Sequence, residues 1–196
     1  MLPGIKVLKK DKVLANLIKQ VRLKKHKPHS RYFESLCVAV INQQLSTKAA
    51  DTIEGRFVAI FGGIFPKPLA VLKKPSAQLR KAGLSAKKVE YIKGIARAIE
   101  RGKINFSQFK KMADEDIINI LIQLKGIGRW SAEMFLMFSL ARPDVFSHGD
   151  LGLQNAIKKF YQLDQKRHSK KYHALVESWR PHRTTAARYL WASLEK

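Results

Sequence analysis

The chain is nearly without cysteine: Cys37 is the only one. A single thiol excludes an internal disulfide framework and any iron–sulfur cluster held on cysteines of this chain alone. It fits a reducing compartment. Long apolar runs are missing too. None approaches the roughly 18 residues that span a bilayer, and the lysines scattered from Lys6 to Lys19 break any secretory signal. These absences predict a soluble intracellular protein, cytoplasmic in a prokaryote and nuclear in a eukaryote. Acid is scarce: 15 Asp plus Glu stand against 38 Lys plus Arg, a formal charge of +23 over 196 residues. That excess points to a polyanion, either nucleic acid or an acidic membrane surface. Clean two-residue alternation is rare, which leaves little room for strands.

What the sequence does have is helical periodicity. Tyr32, Phe33, Leu36, Cys37, Val40 and Ile41 recur at helix spacing. Ala49, Ile53, Phe57 and Ile60 do so after Ser46, and Val89, Ile92, Ile95, Ala96 and Ile99 after Ser85; both serines suit an N-cap. Asp114, Glu115 and Asp116 place acids at the positive end of a further helix running to Leu124. The segment from Arg129 to Leu140 is apolar nearly all round, which predicts a core helix. Another helix is expected after Asp150, and the last should run through Trp191. Glycines and prolines punctuate these segments without a long linker, and there is no repeat array. The reading is a single, mainly α-helical domain with a 45% hydrophobic composition, enough for a core. The first 30 residues carry nine basic side chains and one acid, Asp11. That run reads either as a solvated helix face or as extra phosphate contact.

The most informative segment is Leu124-Lys125-Gly126-Ile127-Gly128-Arg129-Trp130-Ser131-Ala132. One helix ends at the first glycine and another begins after the second. Glycine permits the positive φ of a tight turn and close approach of backbone to a ligand. Amides at the start of the second helix suit an anion such as a DNA phosphate, a contact that fixes register without reading sequence. On its own this pattern also fits an ordinary helical hairpin.

Three other segments accompany it: Asn42-Gln43-Gln44-Leu45-Ser46-Thr47-Lys48-Ala49-Ala50, Gly83-Leu84-Ser85-Ala86-Lys87-Lys88, and Trp179-Arg180-Pro181-His182-Arg183-Thr184-Thr185-Ala186-Ala187-Arg188-Tyr189-Leu190-Trp191. Together with Leu124 through Leu153, this ordered set resembles the helix-hairpin-helix (HhH-GPD) DNA glycosylases, in particular the 3-methyladenine DNA glycosylase II (AlkA) type. The resemblance covers roughly residues 30 to 192. It implies an all-α fold of two helical lobes flanking a DNA- and base-binding cleft, one over about residues 46–140 and one from about 1–45 plus 141–196. The β-rich N-terminal domain of longer members is not expected.

The resemblance implies hydrolysis of the N-glycosidic bond of an alkylated purine, of the 3-methyladenine or 7-methylguanine type, after base flipping. Asp150 falls on the catalytic carboxylate, which would stabilise the oxocarbenium-like sugar; position alone favours a helix N-cap, and the two roles can coexist. Trp130, Met134 and Trp191 fall on the base pocket, where an indole face attracts a cationic base. Core packing is the alternative for both tryptophans. Gln44 and Leu45 match the side chains that fill the gap left by the flipped base. Lys125, Gly126, Ile127, Gly128, Arg129 and Ser131 match the phosphate-binding hairpin, whose carbonyls at Leu124 and Ile127 can also hold a monovalent cation. No organic cofactor or catalytic metal is implied. Trp130 stands where a related branch carries a Schiff-base lysine, so a monofunctional enzyme leaving an abasic site is expected. The sequence departs from the family at Lys125, where the hairpin usually has proline, at Met134, where the best-known pocket has an aromatic, and at Ser147-His148-Gly149, which lacks the usual acid.

The expected partner is double-stranded DNA carrying damaged bases, bound by a monomer without a membrane. A glycosylase of the same fold for deaminated or etheno bases is the nearest alternative. A catalytically inert helix-hairpin-helix binder would gain nothing from a carboxylate at Asp150. A membrane-surface role would leave the glycine hairpin unexplained.

Overall fold

The structure, a computed structural model, describes residues 2 and 4–194. Among the described residues there are helices and no strand, and no helix is long and apolar enough to cross a membrane. The chain divides into a central unit, His29–Phe135, and a terminal unit, Met1–Pro28 with Leu136–Lys196.

In the central unit the helices are α3 (Tyr32–Asn42), α4 (Thr47–Ala59), α5 (Pro68–Lys73), α6 (Ser76–Arg80), α7 (Ala86–Glu100), α8 (Asp114–Leu121) and α9 (Arg129–Met134). Serine caps start two of them as expected: Ser46 Oγ accepts from Ala49 N at 3.4 Å and Ser85 Oγ from Lys88 N at 3.2 Å. Helix α7 is the hub, packing against α3, α5 and α6. Its buried stripe of Val89, Ile92, Ile95 and Ala96 falls on one face because these positions differ by three or four. Each buried valine or isoleucine of this stripe contributes roughly 1.5–3 kcal/mol, and the alanine less. A second cluster gathers Tyr32, Phe106, Phe109 and Phe135, with ring centroids 5.1–6.2 Å apart. Helix α3, expected in the terminal lobe, belongs to this unit because its apolar face covers α7.

The terminal unit holds α1 (Ile5–Leu8), α2 (Lys12–Gln20), α10 (Leu151–Tyr161), α11 (Ser169–Glu177) and α12 (Arg183–Ala192). Here α12 is the hub, packed against α2 and α10; the fully buried Ala186 and Ala187 let neighbouring backbones come close. Asp11 ties the N-terminal helices in. Its Oδ1 caps α2 by accepting from Val13 N and Leu14 N at 2.9 and 3.0 Å. Its Oδ2 accepts from Tyr161 Oη at 2.8 Å and Trp179 Nε1 at 3.0 Å.

The segment expected as one regular helix from Arg129 to Leu140 is α-helical only to Met134. It continues as a π-helical turn over Phe135–Ser139. Ala141, at φ 52, ends the turn, and Arg142 N donates to Leu136 O at 2.9 Å. Nor is the segment wholly core, since Trp130 is 49% exposed.

Candidate active site and nucleic-acid interface

Asp150 is the N-cap of α10, with extended backbone (φ −77, ψ 117). Its Oδ1 accepts from Leu153 N at 2.8 Å and from Trp191 Nε1 at 2.9 Å. The cap and the candidate catalytic acid are therefore the same group, and α12 delivers the indole that orients it. Gly152 makes the pairing fit: a Cβ there would lie 3.1 Å from Asp150 Oδ1 and 3.2 Å from the Trp191 ring. Trp191 also meets Phe138, with centroids 6.0 Å apart. Phe138 in turn takes the edge of the His26 ring and accepts a hydrogen bond from it through its carbonyl. Asp150 is buried at 9% exposure and Trp191 is half-buried. Near them lies Tyr172, fully buried, with a hydroxyl that has no hydrogen-bond partner among the described residues. Burial, reinforced by the Asp150 charge, pushes its phenol up to about 12.

The segment leading into Asp150 is anchored by the C-terminal motif. Thr184 Oγ1 accepts from Val145 N at 3.0 Å and donates to Arg142 O at 2.7 Å. Arg183 reaches Asp144 through Nε at 2.9 Å and Glu177 through Nη1 at 2.9 Å. Arg180 adds a 2.6 Å bond to Asp144. The motif thus serves the acid mostly by holding residues 142–146 in place.

The hairpin is formed as expected. Gly126 has φ 89, and a Cβ on it would lie 2.4 Å from the Tyr91 ring; both conformation and space require glycine. Ile127 N donates to Leu124 O at 3.0 Å. Gly128 is the extended N-cap of α9, offers no side-chain cap, and receives the first intrahelical bond from Ala132 N at 3.0 Å. Amides at such a helix start lie outside the intrahelical ladder. Lys125 is exposed, 3.5 Å from Glu90. Arg129, expected to face phosphate, is engaged within the protein: it forks onto Glu115 at 2.7 and 2.8 Å and reaches Glu133 at 3.1 Å. This staples α8 to α9. Its bonds hold the Glu115 carboxyl below the usual range. Ser131 is buried at 6% exposure. The carbonyl oxygens of Leu124 and Ile127 border the same turn; Leu124 spends one lone pair on Ile127 N. Neutral, hard oxygen donors of this kind fit a monovalent cation.

Of the remaining expected residues, Trp130 and Met134 lie one turn apart on α9, the tryptophan half exposed and the methionine half-buried. These two belong to the central unit, and Asp150 with Trp191 to the terminal one. Gln44 and Leu45 occupy the short loop between α3 and α4; both are exposed, and Gln44 has the left-handed φ of 58. Phe138, Tyr172 and Asp11 gain their roles only in the fold. Helical spacing marks none of them as more than core or surface.

A family model for the HhH-GPD superfamily of base excision DNA repair proteins matches residues 37–181. The chain belongs to that superfamily. It is similar to DNA-3-methyladenine glycosidase from Bacillus halodurans, whose crystal structure superposes with a TM-score of 0.85 at 37% identity over 96% of this chain and 88% of that one. It is also similar to the 3-methyladenine DNA glycosylase Mag1 of Schizosaccharomyces pombe, solved in complex with abasic DNA: TM-score 0.82 and 33% identity over 98% of this chain and 96% of that one. The curated Bacillus subtilis protein YfjP is 38% identical over 169 residues, 83% of this chain but 59% of YfjP's own length.

Proposed function

We propose that the chain is a DNA glycosylase of base excision repair that hydrolyses the N-glycosidic bond of alkylated purines and leaves an abasic site. The Asp150–Trp191 pair carries this reading. A carboxylate fixed at a helix start by an indole N–H presents a localised negative charge. Cleavage of the glycosidic bond builds positive charge on the deoxyribose, and a fixed anion stabilises that centre without reorganising. Asp150 would also orient the attacking water. An N3- or N7-alkylated purine is cationic and so already a good leaving group, and an exposed indole such as Trp130 attracts it by its face. The relatives named for 3-methyladenine support that substrate class.

DNA would be held by its backbone at the Gly126–Gly128 turn and the start of α9, with Lys125 adding charge. A monovalent cation on the Leu124 and Ile127 carbonyls would neutralise part of a phosphate. Leu45 and Gln44 would fill the gap left by the flipped base. Trp130 where a nucleophilic lysine would stand supports a monofunctional mechanism. A monomer acting on one lesion at a time fits this scheme.

The experiment is base release from randomly methylated duplex DNA, wild type beside Asp150→Asn, with freed bases separated by chromatography. Release of methyladenine or methylguanine by wild type and none by Asp150→Asn, with duplex binding retained, is expected. Turnover by the variant at the wild-type rate removes Asp150 from the mechanism. Borohydride should trap no covalent enzyme–DNA adduct; a trapped adduct overturns the monofunctional reading.

A further inference from the structure

The loop between α3 and α4 is short and exposed, yet its start is held through both the backbone and the side chain of Gln43. Gln43 Nε2 donates to Gly126 O at 2.7 Å. Lys88 Nζ donates to Ile41 O at 2.7 Å and to Gln43 O at 2.8 Å. These last two are carbonyls at the C-terminal end of α3, which the helix itself leaves without donors and where a cation is favoured. Lys88 gives up hydration to sit there, and burial lowers its ammonium below the ordinary lysine value. Its own backbone is fixed by the Ser85 cap of α7. Gly126 is fixed as well, by its left-handed φ and by the Tyr91 ring against it. Gln44, next in the chain, takes a left-handed conformation that side-chain-bearing residues rarely adopt, and Gln44 and Leu45 are both exposed to solvent.

Capping the end of α3 would need only Lys88; the Gln43 amide adds a tie from this loop to the Gly126 turn, 83 residues on. We infer that Gln43 and Lys88 are positioning residues for the DNA wedge: they lock the Gln44–Leu45 tip to the Gly126 turn, so that phosphate binding at the hairpin and insertion of the tip occur in one fixed geometry. The inference rests on the proposed glycosylase reading for its substrate, but concerns residues that touch neither the base nor the sugar. The lock matters energetically because a wedge held in place loses no conformational freedom when it enters the duplex.

The test uses Gln43→Glu, which keeps the shape and loses the donor, and Lys88→Met, with Lys88→Arg as the conservative rescue. Single-turnover release of a methylated purine is measured on a paired duplex and on the same lesion opposite an abasic site, where no orphan base resists the wedge. The variants should lose about tenfold on the paired duplex and less than about twofold on the other, and Lys88→Arg should recover most of the loss. Equal losses on both substrates, with melting temperature lowered in step, overturn the inference in favour of plain structural support. So do wild-type rates on both. A second readout does not need catalysis: 2-aminopurine placed beside an abasic analogue should brighten less when the variants bind than when wild type does. If wild type brightens the probe but releases no methylated base, the glycosylase reading has failed and the lock has not; if the variants brighten it as wild type does, the lock has failed.

Discussion

Asp11 shows how far a single residue's role can lie from its sequence context. Among nine basic neighbours it reads as the one acid of a solvated face. In the fold, one oxygen caps α2 and the other takes the Tyr161 hydroxyl and the Trp179 indole N–H. Losing a cap costs about 1 kcal/mol, and each buried donor left without a partner about 1–3 kcal/mol. Asp11→Ala should therefore destabilise the protein by about 3–7 kcal/mol in urea titration, toward the lower end because Tyr161 is only half-buried, and still a large share of the roughly 5–15 kcal/mol typical of a domain. Tyr161→Phe removes one donor and its hydroxyl together and should cost only about 1 kcal/mol. A loss below about 1 kcal/mol in Asp11→Ala would mean the N-terminal helices are held by apolar contact alone. The candidate site divides in the same way. Asp150, Gly126 and Trp191 were legible because each sits in a motif whose residue types are chemically constrained. Tyr172 and Phe138 were not, because an aromatic residue in an apolar stretch carries no mark of what its ring or hydroxyl faces.

At the level of elements, the helices that announced themselves were those with a serine cap and a one-faced apolar stripe, α4 and α7. The start of α8 was legible from three successive acids. The helix after Gly128 was legible at its beginning and not at its end. Periodicity continues through Phe135–Ser139 while the hydrogen bonding widens to a π turn, and side-chain pattern does not record hydrogen-bond register. Nor did composition tell that Arg129 is a staple: a basic residue at a helix start beside a glycine turn has the same look whether it faces phosphate or Glu115. The staple makes a prediction with a definite sign. Glu115 is held below its ordinary value by the Arg129 bonds, so its contribution is fully present above the unfolded value of about 4.3 and is lost as pH falls through the lower folded value. Both partners are 58% exposed, so the effect is screened and small. Glu115→Gln should melt slightly below wild type at about pH 7, and the two curves should converge below about pH 4. A difference that persists unchanged at about pH 3 would assign the loss to packing instead of charge.

For the molecule as a whole, the excess of 23 positive charges has to be divided between solubility and binding. In the proposed scheme the hairpin would meet phosphate mostly with neutral amides, and neutral donors displace few of the counterions that drive salt-dependent binding. The nine basic side chains of the first 30 residues are all exposed. Their backbone is not loose: Arg188 Nη2 donates to Lys24 O at 2.7 Å, and the His26 ring bonds to Phe138, whose ring packs on the indole that orients Asp150. The basic segment is thus built onto the same wall as the candidate acid, which argues for a working role over a merely solvated face. If Lys24, Lys25 and Lys27 each neutralise a phosphate, changing all three to Gln should reduce the slope of log K against log salt by about 0.9 per phosphate, roughly 3 in all. Affinity for every duplex sequence should fall alike, because phosphate contacts carry no base information. Melting temperature should hold, since the changed side chains lie in water. Fluorescence anisotropy on an undamaged duplex across a salt series measures this directly. An unchanged slope would return these lysines to solubility alone, and would leave phosphate binding to the hairpin and to basic side chains elsewhere on the surface.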